Sequence, residues 1–193
     1  MEYQIIPLPR EEWKGTPVLI KYTTEEYYDL ESSADSDCFC VRMVKKKFEA
    51  PVTHAPEEYD FPDSLYQDHW EDAEAFGIVR EENGKKELLA CIELCPEEWS
   101  NRLIVTELWV SDALHRHGIG TRLMNLAKEK AKLDGRRAII LETQSCNVRA
   151  IAFYRSQGFE LIGFDSCCYS NSDVKRHEIR FDFGYFLHEQ SER

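Results

Sequence analysis

The feature that most constrains this chain is the stretch from Leu103 to Glu142, where strand, glycine turn, helix and strand signals follow without a gap. LIVTELWV, at 103–110, is dense in β-branched and aromatic residues and reads as a strand. From Gly118 to Leu133 the apolar positions Ile119, Leu123, Leu126, Ala127 and Ala131 mark one face of an amphipathic helix, and Gly135 ends it. RAIILE, at 137–142, is short and nearly all apolar, as buried parallel strands are. Two strands joined through a helix lie parallel, so this stretch demands an α/β sheet.

The flanks extend that sheet. Ala75–Arg80 and Glu87–Leu94 read as strands joined by a hairpin turn at Glu82, Asn83 and Gly84. Asn147–Gln157 reads as a second helix closed by Gly158, and strands follow near Glu160–Asp165 and His177–Phe186. The expected class is a mixed α/β fold: a mostly antiparallel central sheet with one parallel, splayed pair and helices on both faces. With 193 residues the chain reads as a single domain. Residues 74–187 form its core, and residues 1–73 a variable N-terminal arm with substrate-side helices. In that arm Pro17–Tyr22 is expected as a strand and Thr24–Ser32 as a short helix. Ala55–Trp70 is expected as loop and helical turns broken by Pro56 and Pro62.

Composition excludes several functions. The net charge of −12 removes a chain-wide footprint for nucleic acid. No apolar run reaches membrane-spanning length, and the N-terminus lacks the layout of a signal peptide. The seven cysteines are odd in number and fit free thiols in a reducing cytoplasm. Cys38 with Cys40, and Cys167 with Cys168, raise the question of a metal. No C-x-x-C pair and no matching histidine set supports one, so packing thiols are expected and no metal. A homodimer is left open.

The chemistry concentrates at His115, Arg116, His117, Gly118, Ile119, Gly120 and Thr121, between a strand end and a helix start. Glycines there let successive N–H groups point outward, and the helix N-terminus adds partial positive charge, which together suit a phosphate. A tight turn without a ligand has the same pattern. Charge favours the anion: residues 113–137 hold seven bases against two acids, so that segment is +5 and the remainder of the −12 chain is −17. Arg116 and Arg122 flank the glycines. No G-x-x-x-x-G-K-[ST] run exists, and Leu123 stands where a dinucleotide fingerprint has its third glycine. A second constellation comprises Asn147, Ala150, Phe153, Tyr154, Gly158 and Phe159. Asn147 can cap the helix and donate to a ligand amide. Tyr154 falls two turns later on the same face, where an ordinary interface tyrosine also stands.

Together these motifs resemble the GNAT superfamily of acyl-CoA-dependent N-acetyltransferases, over roughly Phe76 to Phe186. In one departure, His115 stands where the family has Gln or Arg, which puts one phosphate contact in question. LIVTELWV, ILETQSCN and GFDSCCYSNSD look more narrowly like the streptothricin acetyltransferase branch, whose members acetylate an amine of a β-lysine-bearing antibiotic. The resemblance implies acetyl-CoA as co-substrate, with its pyrophosphate on the Arg116 to Thr121 loop and with His115, Arg122 and Asn147 among the other cofactor-binding residues. Backbone groups of Leu108, Trp109 and Val110 would pair with the pantetheine arm, and an N–H near Val110 would polarise the thioester.

In this reading Tyr154 matches the family's general acid for the CoA thiolate. The amine needs a base, for which Glu107 is the first choice. On LIVTELWV it is expected to share a face with apolar Val105 and Trp109, which would raise its pKa. A buried Glu paired with an arginine is the competing view. Glu142 is the second choice, and Glu107, Glu142 and Asp165 are the substrate-side acids. Cys146 invites a nucleophile reading, but no motif supplies its histidine, so packing is expected. The substrate expected from the −17 remainder is a small cationic amine. A protein or peptide N-acetyltransferase and a non-catalytic acyl-CoA-binding sensor are the other readings.

Overall fold

Asn83 and Gly84 adopt positive φ angles of 53° and 74°, as a two-residue hairpin turn requires, and the chain reverses there as expected. The computed structural model describes residues 3–58 and 63–187. Along the chain the elements are β1 (Ile6–Leu8), α1 (Arg10–Trp13), β2 (Tyr22–Ala34), β3 (Phe39–His54), β4 (Glu74–Glu82), β5 (Lys85–Glu97) and β6 (Arg102–Val110). They continue with α2 (Ile119–Leu133), β7 (Ala138–Gln144), α3 (Val148–Ser156), β8 (Glu160–Asp165), α4 (Asp173–Arg176) and β9 (Arg180–Phe186). The class is mixed α/β, mostly antiparallel with one parallel pair. The chain divides into two compact units, one of Met1–Ile20, Pro56–Leu141 and Tyr185–Arg193, the other of Lys21–Ala55 and Glu142–Gly184.

In the first unit the strand order is β1-β4-β5-β6-β7. The pairs are antiparallel up to β6, and β6 runs parallel to β7 from Arg102–Ala138 to Val105–Leu141. α2 packs against β5 and β6. It buries Ile119, Leu123, Met124, Ala127 and Ala131, close to the expected stripe. Full burial of one such aliphatic side chain is worth about 1.5–3 kcal/mol. A second apolar cluster joins Leu8, Trp13, Val18, Leu65, Tyr66, Ala75, Cys91 and Cys95. Gly77 allows close approach in β4: a Cβ there would lie 2.5 Å from the Ala90 carbonyl oxygen. No helix among the described residues is long and apolar enough to cross a membrane.

The second unit corrects the reading of the N-terminal arm. Thr24–Ser32 is not a helix but part of β2, a 13-residue strand paired antiparallel with the 16-residue β3. The physical reason lies across the pair. Acids on β2 face bases on β3: Glu26 with Lys45 at 2.6 Å, Asp29 with Lys46 at 2.7 Å and Glu31 with Arg42 at 3.8 Å. The hydroxyls of Thr23 and Thr53 meet at 2.8 Å. Helix-forming Glu and Leu residues in TTEEYYDLE are outweighed by this non-local pairing. Pro17–Tyr22 is not a strand either: Pro17 makes one isolated bridge to Ser64 in the first unit, and Tyr22 opens β2. Pro56 begins a short 3₁₀ turn as expected, whereas Pro62 lies outside the described residues. β8 and β9 pair antiparallel, and α3 lies between β7 and β8 in the chain.

All seven cysteines are free thiols. Cys38, Cys40, Cys167 and Cys168 are exposed, and Cys91, Cys95 and Cys146 are buried. Native protein treated with a maleimide is therefore expected to take label on the four exposed thiols and protect the other three until it is denatured. Peptide mass mapping reads the pattern, and prompt native labelling of Cys91 or Cys146 would contradict the packing.

Candidate functional site

In the first unit the glycine-containing loop runs from the end of β6 into the start of α2. Arg116 at φ 65° and Gly118 at φ 72° are left-handed, with Gly118 capping α2. A Cβ at Gly118 would meet nothing within 4 Å, so the residue is needed for its φ and leaves open space beside the helix start. The first turn of α2 carries no acid, and its first N–H groups have no carbonyl one turn earlier. Arg116, His117 and Thr121 are exposed, and Ile119 is buried beneath them. Two side chains point elsewhere than expected. Nε2 of His115 lies 2.9 Å from the Val110 carbonyl oxygen, and its Nδ1 lies 3.3 Å from Asp112. Arg122 donates to the carbonyl of Tyr3 at 2.7 Å. The loop therefore offers backbone N–H groups and Arg116, while His115 is tied back to the end of β6.

β6 carries the other half of this unit's chemistry. Its pairing with β5 shifts between Glu93 and Leu94, so Thr106 is an extra residue. The bulge overturns the expected face of Glu107. Val105 pairs with Leu94 and Glu107 with Glu93, neighbours on β5 that point to opposite faces. Glu107 therefore leaves the face of Val105 but keeps that of Trp109, and it is buried. Beside it lies an acid the sequence reading missed. Glu93, fully buried, accepts from Thr106 Oγ1 at 2.8 Å and from the Tyr66 N–H at 2.6 Å. Burial raises its pKa, while the two donors pull it down. The Tyr66 it holds is strained, at φ 60°. A single acid within the apolar run LLACIELC was the signal available. Trp109 is fixed through its indole N–H to the Leu19 carbonyl at 3.0 Å.

The second unit holds the remaining candidates. Asn147 caps α3, its Oδ1 accepting from the Ala150 N–H at 3.2 Å. Tyr154 follows two turns later on α3, 9% exposed, with its ring against Phe153, Phe159 and Phe183. Glu142 lies 3.3 Å from Arg180 and accepts from the Tyr169 hydroxyl at 3.4 Å. Arg180 also lies 3.1 Å from Asp182, so one guanidinium sits between two acids. Asp165 accepts the Cys167 N–H at 2.9 Å, and that bond holds its carboxyl below the usual range. Asp165 and Glu142 thus already have partners. For Cys146 the fold supplies the histidine that its local sequence lacks: His54 Nε2 lies 3.6 Å from its sulfur. The two residues are 92 positions apart, so no local pattern announces the contact.

The family model described as the acetyltransferase (GNAT) family matches residues 38–159 of this chain. The chain belongs to the GNAT acetyltransferase family. Streptothricin acetyltransferase A of Bacillus subtilis (strain 168) is 28% identical over 137 residues, covering 67% of this chain and 78% of that protein. Two solved structures share the fold across 97% of this chain. One is a nourseothricin acetyltransferase, covered in full, with TM-score 0.69 and 24% identity. The other, from Bacillus anthracis str. Ames, is assigned to streptothricin acetylation and was solved with acetyl coenzyme A. It is 99% covered, with TM-score 0.70 and 20% identity. This GNAT protein is an N-acetyltransferase with acetyl-CoA as its co-substrate. The left-handed loop, the acid-free first turn of α2 and exposed Arg116 fit the pyrophosphate of that co-substrate.

Proposed function

We propose that this GNAT enzyme acetylates a primary amine of a small cationic molecule, specifically the β-lysine amine of a streptothricin-type antibiotic. The observation that carries the reading is the alignment with the Bacillus subtilis streptothricin acetyltransferase over two thirds of the chain. The −17 charge outside the basic helix segment supports a cationic acceptor, since a field of that sign draws cations inward.

In the proposed mechanism the N–H groups from His117 to Thr121 and the Arg116 guanidinium hold the pyrophosphate. Backbone groups of Leu108, Trp109 and Val110 align the pantetheine arm. Glu107 takes a proton from the substrate ammonium, directly or through water. A lysine-type ammonium has a pKa of about 10.4, so little free amine exists at neutral pH without that help. The amine nitrogen then bonds to the acetyl carbonyl carbon and the carbon–sulfur bond breaks. Tyr154 gives its proton to the departing CoA sulfur. The nitrogen sheds its second proton as the amide forms, and that proton returns Tyr154 to its neutral form through solvent, so the products are the N-acetyl amine and free CoA. Glu142 with Asp182, divided by Arg180, would line the acceptor side, and Asp165 lies on the strand paired with β9.

The assay is CoA release with a streptothricin beside a neutral-amine peptide. The streptothricin is expected to be favoured, with kcat/KM falling as salt rises, because screening shortens the attraction to about 8 Å at physiological ionic strength. Preference for the peptide would make this a protein N-acetyltransferase. Stable acetyl-CoA binding with no turnover on any amine would make it a sensor.

A further inference from the structure

The second unit contains a buried polar chain that the proposed transfer chemistry does not use. Cys146 is fully buried, and its sulfur lies 3.6 Å from His54 Nε2. His54 Nδ1 lies 3.4 Å from Glu178 Oε1, and both residues are 3% exposed. Arg176 donates to the same carboxylate oxygen at 2.9 Å. The Tyr22 ring stacks on His54, with centroids 5.0 Å apart and planes 26° apart. Its hydroxyl donates to Gln144 Oε1 at 2.5 Å and lies 3.3 Å from the Cys146 sulfur.

The order of groups is that of a nucleophilic Cys–His–carboxylate set, but the surroundings argue against that use. Burial pushes the Cys146 thiol up to about 11, so at neutral pH it carries its proton. Nδ1 faces the Glu178 carboxylate, and in the tautomer with the hydrogen on that nitrogen Nε2 accepts from the thiol. The thiol is then a donor in a structural relay.

What the relay holds is the run Gln144, Ser145, Cys146. Tyr22 donates to Gln144 and packs its hydroxyl against the Cys146 sulfur, and His54 accepts from the Cys146 thiol. Ser145 is held three times: its N–H donates to the Ile179 carbonyl at 2.8 Å, its hydroxyl donates to the His177 carbonyl at 2.8 Å, and its carbonyl accepts from the Tyr28 N–H at 3.0 Å. The next residue, Asn147, caps α3, and α3 carries Tyr154. We infer that Cys146, His54, Glu178 and Tyr22 are positioning residues, which fix the start of α3 and through it the placement of Tyr154 during acetyl transfer. The inference rests on Tyr154 being the general acid.

The test is a double-mutant cycle in the full chain, with acetyl-CoA and whichever of the streptothricin and peptide amines is acetylated. Cys146→Ala is expected to lower kcat about 10- to 100-fold with KM for acetyl-CoA unchanged, the size of effect a small misplacement produces. Cys146→Ser, which keeps a donor, is expected to recover most of the loss. In the Tyr154→Phe background, Cys146→Ala is expected to change nothing further. Equal losses in both backgrounds would overturn the inference, as would acetylated Cys146 in acid-quenched protein by mass spectrometry. Tyr22→Phe, one hydroxyl smaller, serves the same cycle if Cys146→Ala does not fold, and wild-type kcat in it would also overturn the inference. Wild-type kcat in Tyr154→Phe alone would instead remove Tyr154 as the acid, and the relay's purpose with it.

Discussion

Tyr154→Phe is expected to lower kcat by about 10²–10⁴-fold while acetyl-CoA affinity stays near wild type, the span that general acid catalysis typically supplies. The substitution is clean because the ring is held by other aromatics. Phe153 meets it edge-on at 5.7 Å between centroids, and Phe159 and Phe183 lie at 6.3 and 6.2 Å. A phenyl ring keeps those contacts and removes only the hydroxyl, at a stability cost of about 1–3 kcal/mol at most. Thermal unfolding monitored beside steady-state CoA release separates the two effects. If chemistry is lost while the melting temperature moves by a few degrees, the hydroxyl acts in the transition state. Turnover near wild type would reduce Tyr154 to a packing residue of α3.

Gly120→Asp is expected to weaken acetyl-CoA binding by at least about 10²-fold, or roughly 3 kcal/mol, without harming the fold. Gly120 is the second residue of α2, in a first turn that carries no acid. A carboxylate at a helix N-terminus favours the helix by about 0.3–1 kcal/mol, and any side chain in place of glycine lowers the entropy cost of helix formation. The same carboxylate stands where a pyrophosphate would approach the helix N–H groups, so like charges oppose each other there. Stability and affinity should therefore move in opposite directions. Calorimetric titration with acetyl-CoA and a melting curve read both. Gly120→Ala isolates side-chain bulk from charge. Unchanged affinity in a folded Gly120→Asp protein would place the pyrophosphate elsewhere.

Much of the first unit was legible in the residues because its signals are local. The Asn83-Gly84 turn, the stripe of α2 and the run RAIILE each declare their conformation within one element. Their order compels the parallel pairing of β6 and β7. The left-handed Gly118 and the capping Asn147 likewise stand where glycine geometry and N-cap chemistry put them. These are consequences of φ preferences and of orphan N–H groups, which any reader of the sequence can apply.

The long ribbon of β2 and β3 was not legible, because acids and bases far apart in the chain had to be paired before either segment showed its conformation. The face of Glu107 was misread for a related reason. One extra residue, Thr106, reverses every side chain beyond it, and nothing in LIVTELWV marks the bulge. Glu93 beside Glu107, and His54 beside Cys146, are meetings of residues from different strands and loops. The sequence by itself determined the β4–β5 hairpin, the parallel crossover from β6 through α2 to β7 and the glycine turn before α2, since these follow from backbone geometry and apolar period. Only the tertiary structure decided which carboxylates share a face and which histidine meets the thiol, because side-chain encounters depend on strand register and long-range closure that no local pattern encodes.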